Sequence, residues 1–250
     1  MQRRRQKITE MVNREGQITF ARLKQAFPDV SEMTLRTDLK YLDENGAIIR
    51  IHGGAKSIET VVGTDGLLEH RTVRNQDLKM QIAQKAVSLL HSCASVFVDS
   101  GSTMTMFARY IPDEPRQIFT SGISCATELA ALEHVSIHIL GGQLNRYSLS
   151  VAGGRSILEL QSCNFDIGFL GVTSFNPKIG FCCEGQEDCV LKQVALSRSL
   201  YTVALMDSTK FGLSNTHCIC PPNGVDAVVT DDALTAAQRK CFEDLGVAVF

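Results

Sequence analysis

No stretch of this 250-residue chain approaches the roughly 18 consecutive apolar residues that a membrane span needs. The opening "MQRRRQKITEMV" has charges but neither an apolar core nor a small-residue cleavage site, so a signal peptide is not expected and a cytoplasmic protein is. No G-x-G-x-x-G or Walker A loop occurs, which argues against a nucleotide as ligand. No paired C-x-x-C knots at zinc spacing occur either, and the six histidines are scattered. The nine cysteines therefore read as small, partly buried thiols, with metal binding through Cys182-Cys183 and Cys218-x-Cys220 the lesser alternative. No metal or cofactor is expected.

Hydrophobic residues make up 44% of the chain, enough for a buried core and too much for disorder. The net charge of −2 names no partner, but its distribution is uneven. Residues 1–56 hold 11 Lys/Arg against 7 Asp/Glu, and the remainder holds 14 against 20. A basic head on an acidic body is expected when one end meets a polyanion.

The head reads as three short helices. Residues 4–14 place Ile8, Met11 and Val12 on one face, with Gly16 as a stop, and Ile18 forms a short extended link. Thr19 can cap a second helix carrying Phe20, Leu23 and Phe27, which Pro28-Asp29 ends. In "VSEMTLRTDLKYLDENG", Ser31 is an N-cap, Leu35, Leu39 and Leu42 make an apolar stripe, and Asn45-Gly46 ends the helix. A tight turn between the second and third helices is helix-turn-helix organisation. The polar face of the third helix carries Glu32, Thr34, Arg36, Thr37 and Lys40. Arginine can grip guanine edges or phosphates, and threonine can meet a phosphate or a thymine methyl. "AIIRIHGGA" then suits a small hairpin, or wing, from which Arg50 and His52 project, with Gly53-Gly54 allowing close approach to a duplex. Arg3, Arg4 and Arg5 are placed near the duplex or in a frayed terminus.

The stretch from Val30 to Ala55, with its serine cap, T-L-R-x-D-L core and closing H-G-G-A, resembles the N-terminal signature of the DeoR family of bacterial transcriptional regulators. The resemblance implies a winged helix-turn-helix that binds double-stranded operator DNA, with Ser31, Thr34, Arg36, Thr37, Lys40, Arg50 and His52 at the interface. Thr37 stands where a second arginine is usual.

Residues 58–74 show no sustained period and read as a linker between a head of residues 1–57 and a body of residues 75–250. "NQDLKMQIAQKAVSLL" puts Leu78, Ile82, Ala86 and Leu90 on one helical face. Strands then fit 95–98, 117–120, 135–140, 165–170, 201–206, 226–230 and 247–250. Helices fit 103–111, 124–132, 154–162, 187–199 and 235–245. This alternation predicts an α/β body with a mainly parallel sheet covered on both faces. Ligands of such sheets sit beyond the carboxyl ends of the strands. Small polar loops fall there: Asp99, Ser100, Gly101, Ser102 and Thr103; Thr120, Ser121 and Gly122; Gly141 and Gly142; and Asp207 through Lys210. Free N–H groups and hydroxyls at the start of the 103–111 helix suit a phosphate. Asp207 and Lys210 can contact that ligand or form a structural ion pair.

"EHRTVRNQDLKMQIAQKA", "VFVDSGSTMTMFA", "ILGGQLN", "FDIGFLG" and "DSTKFG" likewise resemble the DeoR-family sensor domain, itself similar to ribose-5-phosphate isomerase. The resemblance implies a phosphorylated sugar effector, with Asp166, Gly171 and Lys192 joining the loops above, and a homo-oligomer, dimer or tetramer. An aldose–ketose isomerase would need a carboxylate base. Leu170, Thr173 and Ser174 stand at the acidic positions, and Gly171-Val172-Thr173-Ser174 replaces the family's Gly-Ala-Asp-Gly. The expectation is a regulator, most naturally a repressor of carbohydrate genes, rather than an isomerase fused to a DNA-binding head. Glu187 and Asp188 are the acids left to such an enzyme, or simply favourable charges at a helix start. Whether ligand releases or promotes DNA binding stays open.

Overall fold

A computed structural model of the chain describes residues 2–45, 47–51, 53–57, 68–90 and 93–250. The backbone divides between residues 66 and 67 into two compact units.

In the first unit, helix α1 (Gln2–Glu15) ends at Gly16, whose φ of 70° few side chains tolerate. Strand β1 (Gln17–Thr19) leads into α2 (Phe20–Ala26), where the Thr19 side chain accepts from Arg22 N. Helix α3 (Glu32–Glu44) starts the same way, with Ser31 accepting from Thr34 N. Lys24 Nζ closes the turn between α2 and α3 by donating to the Pro28 and Val30 carbonyls at 2.9 and 2.8 Å. Strands β2 (Ile49–Ile51) and β3 (Gly54–Lys56) pair antiparallel as the wing. The link through Ile18 is more than a link: β1 adds to β3, giving the order β1-β3-β2. Gly54 is required by that contact, since a Cβ there would stand 2.1 Å from Ile18 O. Its glycine is required by internal packing whatever it also permits at the groove. Ile8, Val12, Leu23, Leu35, Leu39 and Ile48 share the core beneath.

The basic N-terminus is anchored. Asp38, 1% exposed on α3, accepts from Arg4 Nε at 2.5 Å and Arg5 Nε at 2.8 Å, and Arg5 stacks 3.6 Å over the Tyr41 ring. Arg4 and Arg5 thus clamp α1 to α3 and are not frayed.

The second unit starts earlier than the periodicity suggests. Helix α4 (Leu68–Val73) falls within the stretch read as linker, and Leu68 N donates to Tyr147 O at 2.8 Å. Six residues are too few to display a helical period. Then follow α5 (Gln76–Val87), β4 (Ser95–Val98), α6 (Ser102–Tyr110), β5 (Arg116–Thr120), α7 (Ile123–Leu129), β6 (Val135–Ile139), β7 (Gln143–Asn145), β8 (Ser150–Ala152) and α8 (Gly154–Gln161). They are followed by β9 (Phe165–Gly171), β10 (Ser174–Asn176), β11 (Gly180–Cys183), α9 (Gln186–Ser197), β12 (Ser199–Leu205), a 3-10 turn (Ser208–Lys210), β13 (His217–Cys220), β14 (Ala227–Val229), α10 (Ala236–Asp244) and β15 (Ala248–Val249).

Seven parallel strands lie in the order β15-β14-β12-β9-β4-β5-β6, as the alternation predicts. Strand β4 is buried on both faces. Val96 and Val98 join Ile82, Phe107 and Phe169 on one side, while Phe97 joins Leu160, Phe165 and Leu191 on the other. Two antiparallel additions escape the sequence pattern because their strands have only three or four residues: the β7-β8 hairpin and the sheet β10-β11-β13. The latter packs Phe175 and Phe181 against Phe211 and Phe242, with Phe175 and Phe242 centroids 4.4 Å apart.

The Asp38 clamp has a measurable consequence. Burial works to raise the Asp38 pKa, but the hydrogen bonds and charges of Arg4 and Arg5 outweigh it and hold the carboxyl below its ordinary value. The contribution is therefore complete above about pH 4 and lost as pH falls through the folded pKa. Asp38→Ala should destabilise the first unit by about 2 kcal/mol at pH 7 in urea unfolding, and the difference from the parent should shrink in acid.

Candidate functional site

In the first unit, α3 turns Met33, Arg36, Thr37 and Lys40 to solvent. With Phe20 and Arg50 they line a shallow groove between helix and wing. The Arg36 guanidinium lies 4.4 Å over the Phe20 ring and 4.0 Å from a Glu32 carboxylate oxygen, so it is held ready. Arg50 is exposed, its own N–H donating to Asp43 Oδ1 at 2.9 Å. Ser31 and Thr34 are engaged with each other, hydroxyl to hydroxyl at 2.8 Å, beyond the cap bond to Thr34 N. They shape the helix start more than they offer donors. His52 lies outside the described residues. A short helix flanked by Arg36, Lys40 and Arg50 on a basic unit can enter a groove of duplex DNA.

In the second unit, the strand order reverses between β4 and β9, which places a crevice beyond their carboxyl ends. Asp99, fully buried after β4, accepts from Gly171 N at the end of β9 (2.9 Å) and from the Lys192 ammonium of α9. Ser121 Oγ after β5 stands 3.4 Å from its other oxygen. Lys192 is 3% exposed and 3.3 Å from Asp188 as well. Burial opposes its charge, yet Asp188 and Asp99 outweigh burial and push its pKa above the ordinary lysine value. Thr120 accepts from Gly122 N at 3.0 Å. The loops touch: a Cβ on Gly171 would stand 3.0 Å from Ser100 O, and one on Gly122 would stand 3.1 Å from Ser100 Cα. Gly101, at φ 112°, leads into Ser102 and Thr103 at the start of α6.

Two cations absent from the sequence reading stand at this edge. A Cβ on Gly101 would lie 3.9 Å from Arg71 Nη1 of α4. Lys79 of α5 is 5% exposed and donates to the Arg71 carbonyl and, at 2.5 Å, to that of Arg74. Its pKa is pulled down to about 8 by burial first and then by Lys210, with Asp207 opposing and Arg71 and Arg74 adding to the fall. Lys210 Nζ donates to Val172 O at 2.6 Å, and Asp207 caps the turn by accepting from Thr209 N at 3.2 Å. The signal was available: Lys79 shares the buried stripe of Ile82, Ala83 and Ala86, and a lysine on such a stripe needs a reason.

Three expected residues are placed elsewhere or spent. Asp166 opens β9 at the opposite, amino edge and accepts from Ala94 N at 2.8 Å and Ser95 N at 2.9 Å, fixing the entry to β4. It is removed from the crevice by the length of the strand it begins. Gly141 N donates to Glu159 of α8 at 3.0 Å, and Gly142 is required because a Cβ would stand 2.4 Å from Ser156 Oγ. Both glycines serve the junction between β6 and the β7-β8 hairpin.

Comparison with known proteins agrees with this division. Residues 4–61 match the DeoR-like helix-turn-helix domain, and residues 74–232 match the DeoR C-terminal sensor domain. The HTH-type transcriptional regulator YulB of Bacillus subtilis is 31% identical over 246 residues, 98% of this chain and 95% of YulB. The lactose phosphotransferase system repressor of Staphylococcus epidermidis is 28% identical over 228 residues, 90% of each chain. Among solved structures, ribose 5-phosphate isomerase A from Methanocaldococcus jannaschii aligns with 55% of each chain at 17% identity and a TM-score of 0.41.

The Asp99–Lys192 pair gives a direct test. Asp99→Ala should cost about 3 kcal/mol in urea unfolding of the second unit, because a buried ammonium loses one of its two carboxylates. Adding Lys192→Met should recover part of that loss; an unchanged unfolding midpoint in Asp99→Ala would contradict the assigned role.

Proposed function

The chain belongs to the DeoR family of transcriptional regulators, and we propose that it represses carbohydrate genes through an operator grip that a phosphorylated sugar loosens. The observation that carries the effector reading is the gathering of Arg71, Lys79, Lys192 and Lys210 around the loop Asp99–Thr103. Lys79 is held at a depressed pKa by burial and neighbouring cations, so an arriving phosphate dianion relieves an existing electrostatic cost. The N-terminal N–H groups of α6 and the hydroxyls of Ser102 and Thr103 supply further donors. Asp99, Asp207 and the backbone of Gly101 and Gly122 suit the sugar hydroxyls. The relative named for the lactose phosphotransferase system supports the carbohydrate assignment.

Reading a signal is favoured over turnover by where the acids stand. Asp166 is at the far edge of the sheet, Asp188 is paired with Lys192, and Glu187 is exposed at the start of α9. None of the three is placed as a base beside a sugar carbon in the crevice. On the DNA side, a cytoplasmic dimer or tetramer would set recognition helices on repeated half-sites. A coupling of about 1–3 kcal/mol would change operator affinity roughly 5–150-fold.

The experiment is fluorescence anisotropy with the DNA upstream of the protein's own transcription unit, at fixed salt, titrated with a panel of hexose and pentose phosphates. Specific binding weakened by one sugar phosphate is expected, and Arg36→Ala or Lys40→Ala should abolish binding while thermal unfolding of the second unit is unchanged. Lys79→Met should leave DNA binding intact and raise the ligand concentration for half-release. Because unliganded Lys79 loses its proton near pH 8 and a bound phosphate restores it, ligand affinity should fall by up to about tenfold per pH unit above 8. Calorimetry in buffers of different ionisation enthalpy should then record proton uptake.

A further inference from the structure

Met33 is 76% exposed in the first turn of α3. Single exposed hydrophobic residues are ordinary on protein surfaces, so exposure alone signifies little. Here its setting adds to it. Among the described residues of the first unit, Tyr41 is the other large exposed hydrophobic side chain, and Arg5 covers that ring. Met33 instead borders the groove formed with Phe20, Arg36, Thr37, Lys40 and Arg50. Thr37, one turn further on, donates its hydroxyl to the Met33 carbonyl at 2.9 Å, which leaves its methyl as the group with nothing to donate. Ser31 and Thr34 satisfy each other at the helix start, and Arg36 leans on Phe20. Met33 and Thr37 thus stand one turn apart on the exposed face of α3, beside Glu32, Arg36 and Lys40.

We propose that Met33, seconded by the Thr37 methyl, is a specificity-determining contact that reads a thymine methyl group in each operator half-site. The thymine C5 methyl is the apolar feature of the major groove, and a flexible thioether side chain can cover it without demanding a hydrogen bond. Arg36, Lys40 and Arg50 then supply phosphate or guanine contacts that a thymine methyl cannot. The inference rests on the operator-binding reading above, with α3 lying in the major groove.

The test is selection from a randomised duplex pool with the full-length protein and with Met33→Ala and Met33→Leu, at one moderate salt concentration. The parent and Met33→Leu should enrich a thymine at one position per half-site. Met33→Ala should lose that preference while keeping the others. In anisotropy, replacing that thymine by deoxyuridine should weaken the parent about fourfold per half-site, the worth of one buried methyl, and leave Met33→Ala within twofold. An unchanged thymine preference in Met33→Ala would overturn this inference and leave the regulator reading standing. Failure of the parent to enrich any sequence would overturn the regulator reading, and this one with it.

Discussion

The buried pairing of Asp99 with Lys192 is the constraint around which the second unit is arranged. A carboxylate with no exposed surface cannot stand alone in a protein interior, and neither can an ammonium 3% exposed. Each needs the other within contact, so the carboxyl end of β4 must meet the second turn of α9. The same carboxylate takes the Gly171 N–H, which ties in the end of β9, and Asp188 completes the lysine's surroundings. Three segments far apart in sequence are thereby fixed at the point where strand order reverses. The pair is not worth much as net stability, since desolvation consumes most of its attraction. Its effect is to admit one arrangement of the loops and penalise others.

The first unit uses the same device on a smaller scale. Asp38 sits beside the apolar stripe of α3 and would be a liability there without Arg4 and Arg5. With them it locks α1 against the helix that carries Arg36 and Lys40. Two of the arginines at the basic N-terminus thus help to set the helix that carries Arg36 and Lys40. The charge on Arg36, Lys40 and Arg50 stays outward where a polyanion can meet it.

The chemistry of the crevice follows from an imbalance. Lys192 is well matched by two acids, whereas Lys79 is buried among other positive groups with Asp207 as the opposing charge. An internal pair of the first kind holds structure, while a cation of the second kind is better off with an anion nearby. Lys192 reaches Asp99 in the loop after β4, and Lys79 lies within electrostatic reach of Asp207 and Lys210. Asp99 and Asp207, expected as ligand contacts, also accept backbone hydrogen bonds of their own.

Much of this was legible without coordinates, because periodicity and caps are local. Thr19 and Ser31 announced their helices, and alternating runs announced seven strands with polar loops after them. The placement of Asp166 was open to the same logic, since a residue that begins a strand cannot lie at its carboxyl end. Short elements were hidden: α4, β7-β8 and β10-β11-β13 have too few residues to repeat a pattern. Arg71 was hidden with α4, whereas Lys79 could have been noticed as a lysine on the buried stripe of α5. The sequence by itself determined the kinds of element, their succession and the chemistry offered at each loop. The strand order, the meeting of Gly171 with Asp99 and the assignment of Gly54 and Gly142 to packing were decided by the tertiary structure. These are contacts between segments tens of residues apart, and a local pattern carries no record of which distant segment will close upon it.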